Sequence, residues 1–187
     1  MAGALDHYTR AEGQAPRSLR ALFPVALPSM SSADGIGNHY ASVFIRLPIA
    51  VADPQARIEA IARDMAVLRT WGESRTAIAL TRLAGSVAPG IGRWAMRRWS
   101  RRASLVVSSL AGPTAPVRVA GHPIRSIVVW APAPASIGLS LTFFGYAGAL
   151  RLGALADASV MDRPDELVAA FQSAIDELAR GAPAIGG

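Results

Sequence analysis

Apolar residues recur along this chain with two different periods, and the period changes from one segment to the next. Ile137, Leu139, Leu141 and Phe143 alternate with Gly138, Ser140 and Thr142. A repeat of two places successive side chains on opposite faces of a strand. The same alternation of Val43, Ile45 and Leu47 against Phe44 and Arg46 predicts a strand over Ala41–Leu47. Apolar runs at Leu19–Leu27, Ser104–Ser108 and Ile124–Trp130 predict three more, the first stopped by Pro28 and the second closed by Ala111-Gly112-Pro113. Ile137–Phe144 and Ala149–Leu155 flank Gly145-Tyr146-Ala147-Gly148, which predicts a hairpin.

Elsewhere the period lengthens. Ile58, Ile61, Met65 and Leu68 are spaced by three and four, one apolar stripe of a helix. Asp53 and Pro54 stand where an N-cap and a first-turn proline belong. Leu167, Phe171, Ile175 and Leu178 give a second stripe, introduced by Asp162, Pro164, Asp165 and Glu166 and stopped at Gly181. Residues 1–12 read as the end of a helix broken by Gly13 and Pro16. Thr76–Val87 and the segment through Arg93–Arg102 read as two more helices, and Ser29–Gly37 as a loop. Strands mixed with helices around a long hairpin indicate an α/β fold, a mixed β-sheet flanked by helices.

Composition narrows the chemistry. The 187 residues are 51% hydrophobic and 17% charged, which suits one folded domain and excludes a disordered chain. The absence of cysteine excludes a disulfide scaffold, a thiolate metal site and a cysteine nucleophile. His7, His39 and His122 are isolated, with no HxxxH or HExxH spacing, so no zinc site is expected. No Gly-x-Ser-x-Gly elbow is present to support a serine hydrolase. Met1–Leu5 is too short for the apolar core of a signal peptide. Ser126–Leu150 is 25 residues without a charge, long enough to span a bilayer, but Pro132, Pro134 and the strand alternation oppose a spanning helix.

The net charge is +6, and every basic residue is arginine. Five of them fall in Arg93–Arg102 without an acid: Arg93, Arg97, Arg98, Arg101 and Arg102, interleaved with Trp94 and Trp99. These seven residues are candidates for contact with an anionic membrane surface or with phosphate. A solvated helix face is the plain alternative. No nucleic-acid fold or aromatic platform accompanies the cluster, so nucleic acid is not an expected partner.

An ordered set of short motifs carries a resemblance. Leu19-Arg-Ala-Leu-Phe-Pro-Val-Ala-Leu27 is followed by Gly37-Asn38 before a strand. Next comes the Asp53-Pro54 helix with Arg57 and Ile61, then Leu105-Val-Val-Ser-Ser-Leu-Ala-Gly-Pro113 and Gly121. Phe144-Gly-Tyr-Ala-Gly148, Leu150, Gly153 and Asp157 precede the Pro164 helix, which ends near Glu177-Leu178. Over about nine-tenths of the chain this succession resembles the C-terminal half of the bacterial wax ester synthase/diacylglycerol acyltransferase family. That family lies within the chloramphenicol-acetyltransferase-like, coenzyme A-dependent acyltransferases.

The resemblance implies one lobe of a two-lobed O-acyltransferase, with a tunnel between the lobes for acyl-CoA and an alcohol or diacylglycerol. It implies acyl-CoA as substrate and no permanently bound cofactor. The family's general base lies in HHxxxDG, in the other lobe, and this chain has no such motif. No catalytic residue is therefore assigned here. The expected division is a helix remnant and linker over 1–18, the lobe over 19–181 and a tail over 182–187. The expected partner is an N-terminal lobe, in the same parent chain or as a separate subunit. The alternative is a non-catalytic homodimer that binds acyl chains or membrane lipid. A cytoplasmic place at the inner membrane face or a lipid-droplet surface is expected.

The tunnel candidates are Asn38, Ser108, Ser109, Gly112, Pro113, Tyr146 and Gly148. Each has a plainer reading: a turn residue for Asn38, strand caps for the serines, a hairpin turn for Tyr146 and Gly148. Ser109 stands where the family typically has Asn, and Gly145 where it has Ser. Asp157 is assigned to a structural ion pair with an arginine, and His39 and His122 to surface or structural roles.

Overall fold

The structure, a computed structural model, describes residues 1–13, 15, 18–26, 40–70, 89–134 and 136–181. The expected helix at 76–87, the loop at 29–37, Asn38, His39 and the tail at 182–187 lie outside them. The elements in order are α1 (Ala2–Ala11), β1 (Leu19–Ala26), β2 (Tyr40–Leu47), α2 (Pro54–Thr70), α3 (Pro89–Ser100), β3 (Leu105–Ala111), β4 (Arg118–Val119), β5 (His122–Pro123), β6 (Leu139–Tyr146), β7 (Ala149–Ala156) and α4 (Pro164–Gly181).

Five strands form one sheet in the order β2-β1-β3-β6-β7. The central pairs β1–β3 and β3–β6 are parallel, and the outer pairs β1–β2 and β6–β7 are antiparallel. The short strands β4 and β5 make a separate hairpin. This is the mixed sheet flanked by helices that the two periodicities predict.

Alternation along the strands gives each face its own cover. Ala21, Leu47, Leu105, Val107, Leu139 and Leu141 pack beneath Ala4 and Leu5 of α1 and Leu167 and Ala174 of α4. Leu22 and Val106, on the opposite face, pack with Phe44, Trp99 of α3, Ala103, Ala133 and Ile137. Helix α1 thus shares the main core with the strands. A buried ion pair ties α1 to α2: Arg57 Nη2 donates to Asp6 Oδ2 at 2.8 Å, and both side chains are almost fully buried. Arg57 Nε also donates to the Val51 carbonyl, and Arg10 Nε donates to Asp6 Oδ1 at 2.7 Å.

Asp53 caps α2 as expected, its Oδ2 accepting from the Ala56 N–H at 2.9 Å. The α2 stripe departs from the sequence reading. Ile58 is 47% exposed while Arg57, beside it, is buried. Asp6 supplies the reason, because a guanidinium is tolerated in a buried position when it is paired and hydrogen-bonded. In α4, Leu167 is buried and Phe171 packs against the main core as the stripe predicts, while Ala174 is buried and Ile175, beside it, is exposed.

Three further expectations are corrected. Residues 124–130 are not a strand of either sheet. They show the alternating exposure that the period implies, with Ile127 and Val129 less exposed than Val128 and Trp130. The segment containing them is fixed to a face of the sheet rather than to its edge. Ser140 Oγ donates to the Ala131 carbonyl at 2.8 Å, and Thr142 Oγ1 accepts from the Ala131 N–H at 2.9 Å. Gly153, opposite Thr142 in the register, lets this segment approach: a Cβ there would collide with the Val129 carbonyl. Asp157 makes no ion pair among the described residues. Its Oδ1 accepts from the Ser159 N–H at 2.8 Å and from the Ser159 hydroxyl at 2.6 Å, and these bonds hold its carboxyl below the usual carboxylate range. Strand β3 runs on to Ala111, three residues past its predicted end.

Among the described residues, no helix is long and apolar enough to cross a membrane. Within the 126–150 run, the described residues form the pinned segment, β6 and the start of β7.

Candidate functional site

Because β1, β3 and β6 are parallel, their carboxyl ends lie along one edge of the molecule. In open α/β sheets, that edge is where ligands bind. Four of the expected site residues meet there. The Gly112 N–H donates to the Gly145 carbonyl at 2.9 Å, and the Ala147 N–H donates to the Pro113 carbonyl at 3.0 Å. These bonds lock the end of β3 against the β6–β7 turn. Gly112 is required by the approach, because a Cβ would lie 2.5 Å from the Gly145 carbonyl oxygen and from the Phe144 ring. The turn itself is the two residues Ala147 and Gly148, at φ +48° and +77°, the pair of positive values that a type I′ hairpin needs.

Tyr146 is buried, and its hydroxyl holds the next loop. It accepts from the Val117 N–H at 2.9 Å and donates to the Ile124 carbonyl at 2.8 Å. It thereby fixes both ends of the β4–β5 hairpin, which the sequence reading did not contain. The only local signal was Ala120-Gly121, whose φ values of +49° and +83° match the second Ala-Gly turn at 147–148.

Ser108 and Ser109 fall inside β3, not at its cap, and so point to opposite faces. Ser108 is 6% exposed and pairs in register with Thr142, on the face carrying the pinned segment. Among the described residues its hydroxyl makes no hydrogen bond. Ser109 is exposed opposite Phe143. One ligand contacting one face meets only one of these hydroxyls. Asn38 is outside the described residues, but β2 begins at Tyr40, paired with Ala26 at the carboxyl end of β1.

The arginine cluster occupies α3 and the turn after it. Arg93, Arg97, Arg98, Arg101 and Arg102 are exposed, and Trp94 is 68% exposed among them. Trp99 does not belong with that face. Its ring centroid lies 5.0 Å from that of Phe44, and it packs into the smaller core cluster. Ser100, buried beside it, donates to the Arg97 carbonyl at 3.2 Å and is hydrogen-bonded to Ser136. The mixture of tryptophan and arginine seen in sequence resolves into an anchoring Trp99 and an outward Trp94. His7 and His122 are exposed.

Comparison with known proteins now defines the class. The sequence model of the WS/DGAT C-terminal domain matches residues 36–179, and the chain belongs to that family. Over 172 residues it is 24% identical to a protein of Mycobacterium tuberculosis named "Probable diacyglycerol O-acyltransferase tgs1", covering 89% of this chain and 37% of that protein. A Mycobacterium bovis protein, "Putative diacyglycerol O-acyltransferase Mb3154c", matches equally. The chain therefore spans little more than a third of the length of these curated relatives. Among solved structures, the wax ester synthase/diacylglycerol acyltransferase of Marinobacter aquaeolei VT8 superposes with a TM-score of 0.70 at 16% identity, covering 96% of this chain and 41% of that one. The starter condensation domain of rhizomide synthetase RzmA gives 0.52 at 17% identity, covering 94% and 39%. Both are fold likenesses, each covering about two-fifths of the longer chain.

Proposed function

We propose that this chain is the non-catalytic lobe of an O-acyltransferase that moves an acyl group from acyl-CoA to a long-chain alcohol or diacylglycerol. The carboxyl ends of β3 and β6 form one wall of the substrate passage. Ser108, Gly112, Pro113, Tyr146 and Gly148 shape that wall, with Ser109 at its margin. The base that takes the alcohol proton is the histidine of an HHxxxDG lobe, in a longer parent chain or a separate subunit. Acyl-CoA enters as substrate, and no bound cofactor is required. The observation that carries this reading is the match of residues 36–179 to a C-terminal domain family whose relatives are more than twice as long.

The outward face of α3 serves the same reading. Ile91 and Trp94 are exposed between Arg93, Arg97 and Arg98, an apolar and cationic surface suited to anionic lipid, the phase that supplies such substrates.

The test is CoA release from long-chain acyl-CoA and an alcohol, read with a thiol reagent. A cysteine-free chain gives that reagent no background. This chain alone is expected to release no CoA, and adding an HHxxxDG lobe is expected to start release. Release by this chain alone, or none with any such lobe, contradicts the proposal. In the second case a lipid-binding homodimer becomes the better reading.

A further inference from the structure

Arg20 and Arg46 face one another directly across the antiparallel β1–β2 pair. They share the sheet face of Leu22 and Phe44, two pairs along in the register. Directly opposed side chains on neighbouring strands have Cβ atoms about 5 Å apart, and like charges there repel. Neither guanidinium forms an ion pair among the described residues. Both are exposed, and both line one groove of about 470 Å³ with Phe44, Pro48, Ala60 and Asp64. That volume lies within the range of small-molecule sites. One wall is the strand pair with its two arginines and the Phe44 ring. The other is α2, through Ala60 and Asp64.

The groove is at the amino ends of the parallel strands, the opposite end of the sheet from the proposed acyl passage. The surrounding chain adds positive charge. The Ser104 N–H donates to the Arg20 carbonyl at 2.8 Å, so the turn carrying the exposed Arg101 and Arg102 runs beside β1. Phe44 is held by Trp99 at 5.0 Å, which gives the groove a rigid apolar side.

We infer that this groove binds a phosphate ester, the phosphate bridging Arg20 and Arg46 and the organic part lying along Phe44 and Ala60. Two guanidiniums side by side present parallel N–H forks to tetrahedral oxygens, and a phosphate between them turns their repulsion into shared attraction. Among the described residues the groove holds a single carboxylate, Asp64, which leaves it cationic and offers an acceptor to a ligand hydroxyl. The source of the phosphate is either a soluble ester or a lipid headgroup. The inference stands apart from the acyltransferase reading, because it uses other residues at the other end of the sheet.

Three probes test it by titration calorimetry and thermal melting at low salt: inorganic pyrophosphate, adenosine 5′-diphosphate, and phosphatidylcholine vesicles with or without phosphatidic acid. Binding of the soluble probes, weakened about ten- to a hundredfold by Arg20→Gln or Arg46→Gln, is expected for a soluble ester. Binding only to the phosphatidic acid vesicles, with the same losses, identifies a lipid headgroup. Arg151→Gln, which removes an exposed arginine on β7, is the charge control and is expected to leave binding unchanged. A second readout separates ligand binding from structure. Without phosphate, Arg46→Gln is expected to raise the melting temperature, because it removes the repulsion, while abolishing the rise that pyrophosphate gives the wild type. No binding to any probe, or an equal loss in Arg151→Gln, overturns the inference. So does an Arg46→Gln protein that melts lower and binds pyrophosphate like the wild type.

Discussion

Ala147 occupies a backbone conformation that its Cβ disfavours. At φ +48° a non-glycine residue sits in the left-handed region, at a cost of about 1–2 kcal/mol. The Tyr146–Ala149 register leaves no other two residues for the turn. Asparagine tolerates that region, and Asn-Gly is the preferred pair in such hairpins. Ala147→Asn is therefore expected to stabilise the fold by about 0.5–1 kcal/mol, raising the melting temperature by roughly 2–3 °C in a scanning calorimeter. Arg57 works in the other direction. Its removal leaves Asp6 buried with only Arg10 as partner and frees the Val51 carbonyl. Arg57→Ala is expected to cost about 3–5 kcal/mol in denaturant melts. Replacing Arg57 by Met and Asp6 by Leu together is expected to cost much less, because no unpaired charge remains. Arg57 was legible as part of a motif but not as a core residue. Its burial depends on Asp6, 51 positions away, and no local pattern carries that pairing.

At the scale of elements, the segment around Ala131 rests on two hydroxyls and one glycine. Thr142→Val removes the acceptor of the Ala131 N–H without changing volume, and Gly153→Ala pushes a methyl into the Val129 carbonyl. Each is expected to cost about 1–3 kcal/mol. Hydrogen exchange is expected to show faster exchange over 126–133 before any change in β3. A slowdown there, or exchange spread evenly over the sheet, contradicts the pinning. This segment also marks how far the sequence could be read. Five strands and four helices of the structure stand close to where alternation and helical spacing put them, because their faces are set by burial. The 124–130 segment alternates for the same reason, yet its hydrogen-bonding partners are the side chains of Ser140 and Thr142 rather than a strand edge. A period records which face is buried, not what pairs with the backbone. The length of β3 escaped for another reason: the apolar run ends at the two serines, while pairing with β6 continues to Ala111, directly before Gly112. The candidate residues at 112, 113, 146 and 148 were legible as a group because turn chemistry marks them. The opposite faces of Ser108 and Ser109 followed only once the true end of β3 was known.

For the whole molecule, the exposed apolar side chains fall into separate places. Ile91 and Trp94 lie on α3, Ile58 lies on α2, Ile175 lies on α4, and Leu110 and Leu150 lie near the β6–β7 turn. The α3 face is expected to account for lipid contact. Trp94→Ser is expected to lower binding to anionic vesicles severalfold in a sedimentation assay, with little change in melting, because the side chain is 68% exposed. Equal binding by this variant assigns lipid contact elsewhere. Leu110, beside Gly112 at the carboxyl end of β3, is where a second lobe would close the proposed passage. The most direct measurement combines this chain with an HHxxxDG lobe and an acyl-CoA carrying a photoreactive group on its acyl chain, then maps the crosslinks by mass spectrometry. Labels within 108–113 and 144–149 are the expected result. Labels confined to α1, α4 or the outer face of α3 would contradict a substrate passage at the carboxyl ends of β3 and β6.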